Sequence, residues 1–323
     1  MKYLVTGSAG FIGSNLVKFL LDNGHHVVGL DNFSTGFSKN LDFTKTHSHQ
    51  QNFSFIEGDI QNLNDCNLAV KDVDFVLHQA ALGSVPRSLE EPLIYESNNI
   101  RGTLNMLVAA RDAGVKRFVL ASSSSVYGDT PVLPKVETMT PHPLSPYAIS
   151  KLTGEHLCHV FYRSFGLPTI ALRYFNVFGP QQDPNSQYAA VIPKFITATI
   201  ENEPLTIHGD GEQTRDFTFI QNVIDANLAA CVSDKNSFGK FYNIGCSSNI
   251  SINELAKLII KLNNSESSIN YTPPRPGDVK DSFADINLSK ELLKLTSFVS
   301  LEDGLAETIK WYKENYELTK NTT

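Results

Sequence analysis

Short, almost purely apolar runs alternate along the first half of the chain with longer stretches whose apolar residues recur at helical spacing. The run at 2–5 passes through Gly7, Gly10 and Gly13 into Leu16, Phe19 and Leu20, and stops at Asn23-Gly24. This is the pattern of strand, tight turn and helix. Further strands are predicted at 26–30, 53–60, 73–78, 115–121 and 168–176, with helices at 61–71, at 93–113, and from Ser145-Pro146, where an N-cap residue precedes proline at the first helical position. Strands this continuously apolar belong in a parallel sheet covered on both faces, so the fold class is α/β, a doubly wound parallel sheet. Residues 33–52 are polar and read as a surface loop with one helical turn. From about residue 180 the alternation breaks and a smaller, mixed α/β lobe is expected. It contains a helix after 189–195, a strand and turn at 205–211, a helix of 251–262 capped by Ser251, a strand at 269–271, and a last helix opened by Ser300-x-x-Asp303 and packed through Trp311. The division is therefore 1–179, with segments near 214–246 returning to the first domain, and mainly 180–323.

The glycine spacing has a chemical reading. Glycines leave no side chain where a turn is sharp and a pyrophosphate must come close, and the helix that follows presents unpaired N–H groups to the phosphates. Asp31 ends the second strand 18 residues past Gly13. A carboxylate there accepts from a ribose 2′-hydroxyl and repels a 2′-phosphate, so the pattern favours NAD over NADP. Asp59 ends the third strand, where it can meet the adenine end of a cofactor or cap the next helix. Gln79-Ala80-Ala81 end the fourth strand, and their small side chains let a flat cofactor lie close. Ser84 and Arg87 lie in the loop that follows. Ser122 to Ser125 close the fifth strand above the same site. Tyr147 and Lys151, four apart, share a helix face, and an ammonium beside a phenol favours the phenolate. His78 reads as a core histidine, and His47 and His49 as exposed loop residues without a task.

Thr6-Gly7-x-x-Gly10-x-x-Gly13, the serine stretch and Tyr147-x-x-x-Lys151 together resemble the extended short-chain dehydrogenase/reductases, and within them the nucleotide-sugar 4-epimerases, over essentially the whole chain. The resemblance implies a Rossmann-type first domain, tightly bound NAD, a UDP-sugar substrate and a homodimer formed by the helices near 93–113 and 147–165. It implies NAD contacts from Gly7, Gly10, Phe11, Ile12, Gly13, Asp31, Asn32, Asp59, Ile60, Gln79, Ala80, Ala81, Asn99, Tyr147, Lys151 and Phe175. Catalysis falls to Tyr147, Lys151 and Ser123, helped by Ser125, through inversion at C4 by way of a transient 4-keto sugar. Substrate contacts fall to Ser84, Arg87, Ser123, Ser124, Tyr147, Asn176, Arg215, Arg275, Asp278 and Ser282. Related dehydratases carry an Asp-Glu pair, and decarboxylases a Glu, where this chain has only serines. Uronate epimerases share the serines and stay open as an alternative, as does UDP-glucose. Ser282 replaces the bulky aromatic of epimerases restricted to galactose and glucose, leaving room for a 2-acetamido group. UDP-GlcNAc and UDP-GalNAc are therefore the expected pair, in polysaccharide biosynthesis.

Composition narrows the choices further. The chain is 41% hydrophobic with a net charge of −7 and no block of like charges, which points away from nucleic acid and anionic membranes. Its first strand begins at residue 2, leaving no room for a signal peptide, and no apolar run is long enough to span a bilayer. Four scattered cysteines form no metal-ligand pair and fit reduced thiols in a cytoplasmic protein. No metal is expected. Two other functions use the same fold: an NAD-sensing regulator, opposed by the intact Ser123, Tyr147 and Lys151, and an NADPH reductase, opposed by Asp31.

Overall fold

The computed structural model describes residues 1–184, 190–274 and 280–315. Strand β1 (Lys2–Thr6) leads into helix α1 (Phe11–Asp22), β2 (His26–Asp31) and β3 (Phe53–Glu57), then α2 (Leu63–Ala69) and β4 (Phe75–His78). Three helices follow, α3 (Val85–Glu90), α4 (Pro92–Tyr95) and α5 (Gly102–Asp112), then β5 (Arg117–Ser123), α6 (Pro146–Phe165) and β6 (Thr169–Tyr174). Beyond them lie β7 (Val177–Phe178), α7 (Val191–Glu201), β8 (Leu205–His208), β9 (Thr214–Arg215), β10 (Thr218–Phe219), α8 (Ile220–Val232) and β11 (Lys240–Ile244). The chain continues through β12 (Ile250–Ser251), α9 (Ile252–Asn263), β13 (Ile269–Thr272), α10 (Asn287–Leu292) and α11 (Leu301–Glu314).

Seven strands form one parallel sheet in the order β3-β2-β1-β4-β5-β6-β11. The strand order reverses between β1 and β4, which opens a crevice at the carboxyl ends of these strands. One face buries Leu16, Val17 and Leu20 of α1 and Val223 and Ile224 of α8, in a core that runs on through Ile192, Phe195 and Leu255 of the second lobe. The other face buries Met106, Leu107, Cys158 and Phe161. The other strands among the described residues pair in twos, β9 with β12 and β7 with β10, and β8 with β13 in the second lobe. Its helix α9 starts at a complete capping box of Ser251 and Glu254, and Ser300 caps α11. Among the described residues no helix is long and apolar enough to cross a membrane.

Two stretches differ from the sequence expectation. The helix expected over 93–113 is interrupted by a π-helical turn, Glu96–Arg101, between α4 and α5. The extra residue in that turn keeps both Asn98 and Asn99 on the buried side. The loop at 33–52 is tied down rather than free. Its 3₁₀ turns, Ser38–Lys45 and Gln50–Asn52, dock on α1 through His47 Nε2 on Asp22 Oδ1 (2.8 Å) and His49 Nδ1 on the Leu21 carbonyl (2.9 Å). The Asn40 amide reaches the Ala9 carbonyl at 2.9 Å. The two histidines fasten the end of α1 and are not idle surface groups.

Candidate active site

A cleft of about 340 Å³ lies over the crevice between β1 and β4. Gly7 takes φ +66°, and a Cβ there would stand 2.8 Å from the Ala80 nitrogen. A Cβ on Gly13 would meet the Gly7 carbonyl oxygen at 2.0 Å, so only glycine lets α1 start this close to the turn. The first helical bond of α1 is Ser14 N–H to Gly10 (2.9 Å), which leaves the amides of Phe11, Ile12 and Gly13 at a positive helix end on the cleft wall. Asp31 accepts from the Ala9 and Phe33 amides, both at 2.8 Å, and burial pushes its carboxyl upward. Asn32, Ile60, Gln79, Ala80 and Ala81 complete the expected lining.

Three residues from the expected cofactor set stand off this wall. Asp59 holds the Asn32 amide (3.0 Å) from behind. Asn99 bonds the Leu82 amide and carbonyl and the Ser150 hydroxyl, while its neighbour Asn98 faces the cleft. Phe175 is buried in a separate cluster with Val126, Tyr127, Ala284 and Ile286. Ser122 lines the cleft as the serine stretch implied, and Ser34, Thr35, Gly36 and Tyr174 line it with no sequence signal pointing to them. For Asn98 the only sequence signal was the Asn-Asn pair, both members of which the π-helical turn buries.

Tyr147 and Lys151 line the same cleft. Ser145 caps their helix, its hydroxyl accepting from the Ala148 amide at 3.1 Å. Lys151 donates to the Ala121 carbonyl (2.8 Å), its ammonium 5.8 Å from the centre of the Tyr147 ring, and burial lowers it to about 8. The phenol departs from expectation: burial raises Tyr147 above its ordinary value, and a hydrogen bond with the Ser123 hydroxyl opposes this only in part. Desolvation of the phenolate outweighs the Ser123 bond, and the neighbouring Tyr95 adds to the rise. The Tyr95 ring stands edge-on to Tyr147, with centroids 6.4 Å apart. Ser123 Oγ accepts from the Ser125 amide (3.1 Å), Ser124 opens the short 3₁₀ turn that follows, and the Ser125 hydroxyl is buried with no partner among the described residues. His78 lies wholly in the core between Thr6 (2.8 Å) and Thr103 (3.1 Å), and burial, then Lys151, lower it to about 3.

A second cavity of about 610 Å³ lies in the other lobe, walled by Val177, Phe178, Val191, Phe195, Ile207 and Phe217 and carrying Asn176 and Arg215. Arg215 Nη1 donates to the carbonyls of Thr214 (2.8 Å) and Lys280 (3.0 Å). Asn176, at φ +33°, donates to the Asp216 carbonyl (2.8 Å) and to the Ser282 hydroxyl (3.3 Å). Buried Asp216 in turn accepts from the amides of Cys246 (2.9 Å) and Ala284 (3.1 Å). These bonds bring Asn176, Arg215 and Ser282 together from three distant segments. Ser84 caps α3, its amide reaching the Tyr95 hydroxyl (3.1 Å), and Arg87 pairs with Glu91 (2.5 Å) at the edge where Pro86 meets the cavity. Arg275 and Asp278 lie outside the described residues.

The glycine cradle, the amide-lined start of α1 and the carboxylate of Asp31 form a donor and acceptor set that fits a dinucleotide. A profile of the NAD dependent epimerase/dehydratase family matches residues 3–245. The chain superposes with a TM-score of 0.91 on the UDP-N-acetylglucosamine 4-epimerase from Methanobrevibacter ruminantium M1 in complex with UDP-N-acetylmuramic acid. The two are 40% identical, over 97% of this chain and 98% of that one. The UDP-glucose 4-epimerase of Thermotoga maritima, solved with UDP-glucose, gives 0.91 at 36% identity over 98% and 100%. The UDP-glucuronic acid 4-epimerase of Bacillus cereus, solved with UDP-glucuronic acid and NAD, gives 0.88 at 39% over 98% and 100%.

Proposed function

Because the chain belongs to the NAD-dependent epimerase/dehydratase family, we propose that it is an isomerase that inverts C4 of a UDP-hexose, with UDP-GlcNAc and UDP-GalNAc as its main pair. The observation that carries this reading is that Tyr147 and Lys151 line one cleft and Ser123 hydrogen-bonds Tyr147, with serines and no carboxylate over 122–125. Gly7, Gly10, Phe11, Ile12, Gly13, Asp31 and Asn32 would hold NAD, which supplies the hydride acceptor and returns the hydride to the opposite face of the sugar. Tyr147 takes the proton of the 4-hydroxyl and gives it back. Ser123 hydrogen-bonds the same oxygen while it is a ketone. Lys151, charged below about pH 8, places its ammonium where it favours the phenolate against burial. Arg215, with Arg275, grips the diphosphate by charge-assisted bonds while the freed keto sugar turns over.

The preference for an acetylated sugar rests on Ser282, whose small side chain lies against Asn176. A UDP-uronate is the second reading, supported by the nearly equal identity to the Bacillus cereus enzyme. Leu93, Leu104, Ile149 and Val160 stand exposed on the helices near 93–113 and 147–165 and support a homodimer through them, which light scattering would measure. To test the function, the protein with NAD is incubated separately with UDP-GlcNAc, UDP-Glc and UDP-glucuronate, and C4 epimers are resolved by chromatography. UDP-GalNAc without net NADH is the expected product. UDP-galacturonate alone moves the substrate to the uronate, and UDP-galactose with UDP-GlcNAc unused removes the Ser282 argument.

A further inference from the structure

Glu155 and Arg173 form an ion pair sealed from solvent, at 0% and 1% side-chain exposure for Arg173 and Glu155. Arg173 Nε meets Glu155 Oε1 at 2.8 Å, and Nη2 meets Oε2 at 2.7 Å, a parallel two-bond geometry. The Ser122 hydroxyl also donates to Oε1, at 2.5 Å. The guanidinium lies between two aromatic rings, 3.9 Å from the centre of Phe241 and 4.7 Å from that of Tyr127. So buried a pair is costly to form and gains little over apolar packing of the same volume, so its presence calls for a reason other than stability.

The reason is geometric. Tyr147, Lys151 and Glu155 follow one another every four residues and so make a single stripe along α6. Each lower member of the stripe is tied to the end of β5: Lys151 to the Ala121 carbonyl, Glu155 to the Ser122 hydroxyl. Ser122 and Arg173 are directly paired across β5 and β6, as are Ser123 and Tyr174. One carboxylate thus joins the helix that carries the phenol to the two strands whose next residues carry Ser123 and Tyr174. A helix held at only one turn can slide or roll on a smooth apolar sheet; held at two successive turns it cannot, and the third turn, bearing Tyr147, is fixed with it.

The geometry points to Glu155 and Arg173 as a positioning pair that sets where the Tyr147 phenol stands relative to Ser123. They touch neither cavity, and their effect falls on the proton-transfer step and not on binding. This inference rests on Tyr147 and Ser123 being the catalytic groups.

The test uses the full chain carrying E155M together with R173M, which replaces both charges by apolar side chains of similar volume, and separately S122A. Kinetics are measured with NAD bound and with the best UDP-sugar. A spectroscopic titration of Tyr147, read as the ultraviolet difference between each protein and its Y147F counterpart, needs no turnover. The double variant should keep its NAD and a KM within about twofold, while kcat drops at least about tenfold, the size of effect general acid–base catalysis allows. The titration of Tyr147 should move as its bond to Ser123 is lost. S122A should show the same pattern at about threefold. A folded double variant with kcat and titration unchanged overturns the proposal. If the double variant does not fold, an S122A protein with normal kcat and normal titration overturns it equally. Activity surviving in Y147F alone would instead defeat the catalytic reading and leave the titration as the arbiter of the geometry.

Discussion

The two cavities of this molecule are built by different means. The cleft over β1 and β4 is made of main chain and of residues too small to be in the way, such as Gly7, Gly13, Ala80 and Ala81. Its side-chain acceptors and donors, such as Asp31, Gln79, Asn98, Tyr147 and Lys151, come from the successive β–α units of the first half of the chain. The cavity of the second lobe is walled largely by apolar side chains, with polar groups from remote segments, among them Arg215 on β9 and Asn176 after β6, the latter bonded to Ser282 from beyond β13. A surface made by the backbone is fixed once the fold is fixed. One made by side chains can be re-cut residue by residue. The first arrangement suits an invariant ligand and the second a variable one, and the three superposed structures were solved with three different UDP-sugars.

The sharpest way to break this contrast is Gly7→Ala. A methyl group 2.8 Å from the Ala80 nitrogen, at φ +66°, should cost about 2–4 kcal/mol of stability by clash and strain, seen in thermal unfolding, and should strip NAD from the purified protein. Retained NAD in a stable G7A protein would mean the cradle is looser than its geometry. On the other side Arg215→Ala should raise KM for the UDP-sugar by about 10- to 100-fold through loss of charge-assisted bonds, with NAD content unchanged. A fall in bound NAD would show that the two cavities are not separable. Smaller again is Ser282→Tyr, which should cut kcat/KM for UDP-GlcNAc about tenfold by overpacking while sparing UDP-Glc. The last effect is thermodynamic. His78 is neutral in the fold at a pKa of about 3, against about 6.5 in the unfolded chain. Its stabilisation is complete above 6.5 and is lost as pH falls from there toward 3, about 2 kcal/mol by pH 5. Melting temperature measured across that range should fall less steeply in His78→Asn than in the parent.

The same contrast explains how far the sequence could be read. The glycine turn, Asp31, and the Tyr147–Lys151 stripe are short-range patterns, so strand, turn and helix could be read together with the chemistry they hold. Asn98 and Asn99 could not be told apart, because both are buried in a π-helical turn and only the fold shows that Asn98 lines the cleft. His47 and His49 gained their roles only when the loop docked on the end of α1, a contact across more than twenty residues. Lys151 does stand beside Tyr147 as spacing implied. How deeply the phenol is buried, and therefore the direction in which it is shifted, depends on Tyr95 and on the depth of the cleft, which no spacing encodes. In the second lobe the Asp216 carboxylate gathers amides of Cys246 and Ala284 from separate segments, and nothing in the residues around Asp216 announces that.

The order of the sheet also has a consequence for synthesis. β6 lies inside the finished sheet only because β11 covers its outer edge, and β11 comes from far later in the chain. While the ribosome makes the intervening residues, at about 5–20 per second, β6 waits for several seconds as an open edge of the nascent protein, with its main-chain donors and acceptors available to any passing strand. The six-residue segment Thr169–Tyr174 is apolar enough to aggregate in that interval, except for one charge, Arg173. During growth of the chain, that guanidinium is the gatekeeper on an otherwise adhesive strand.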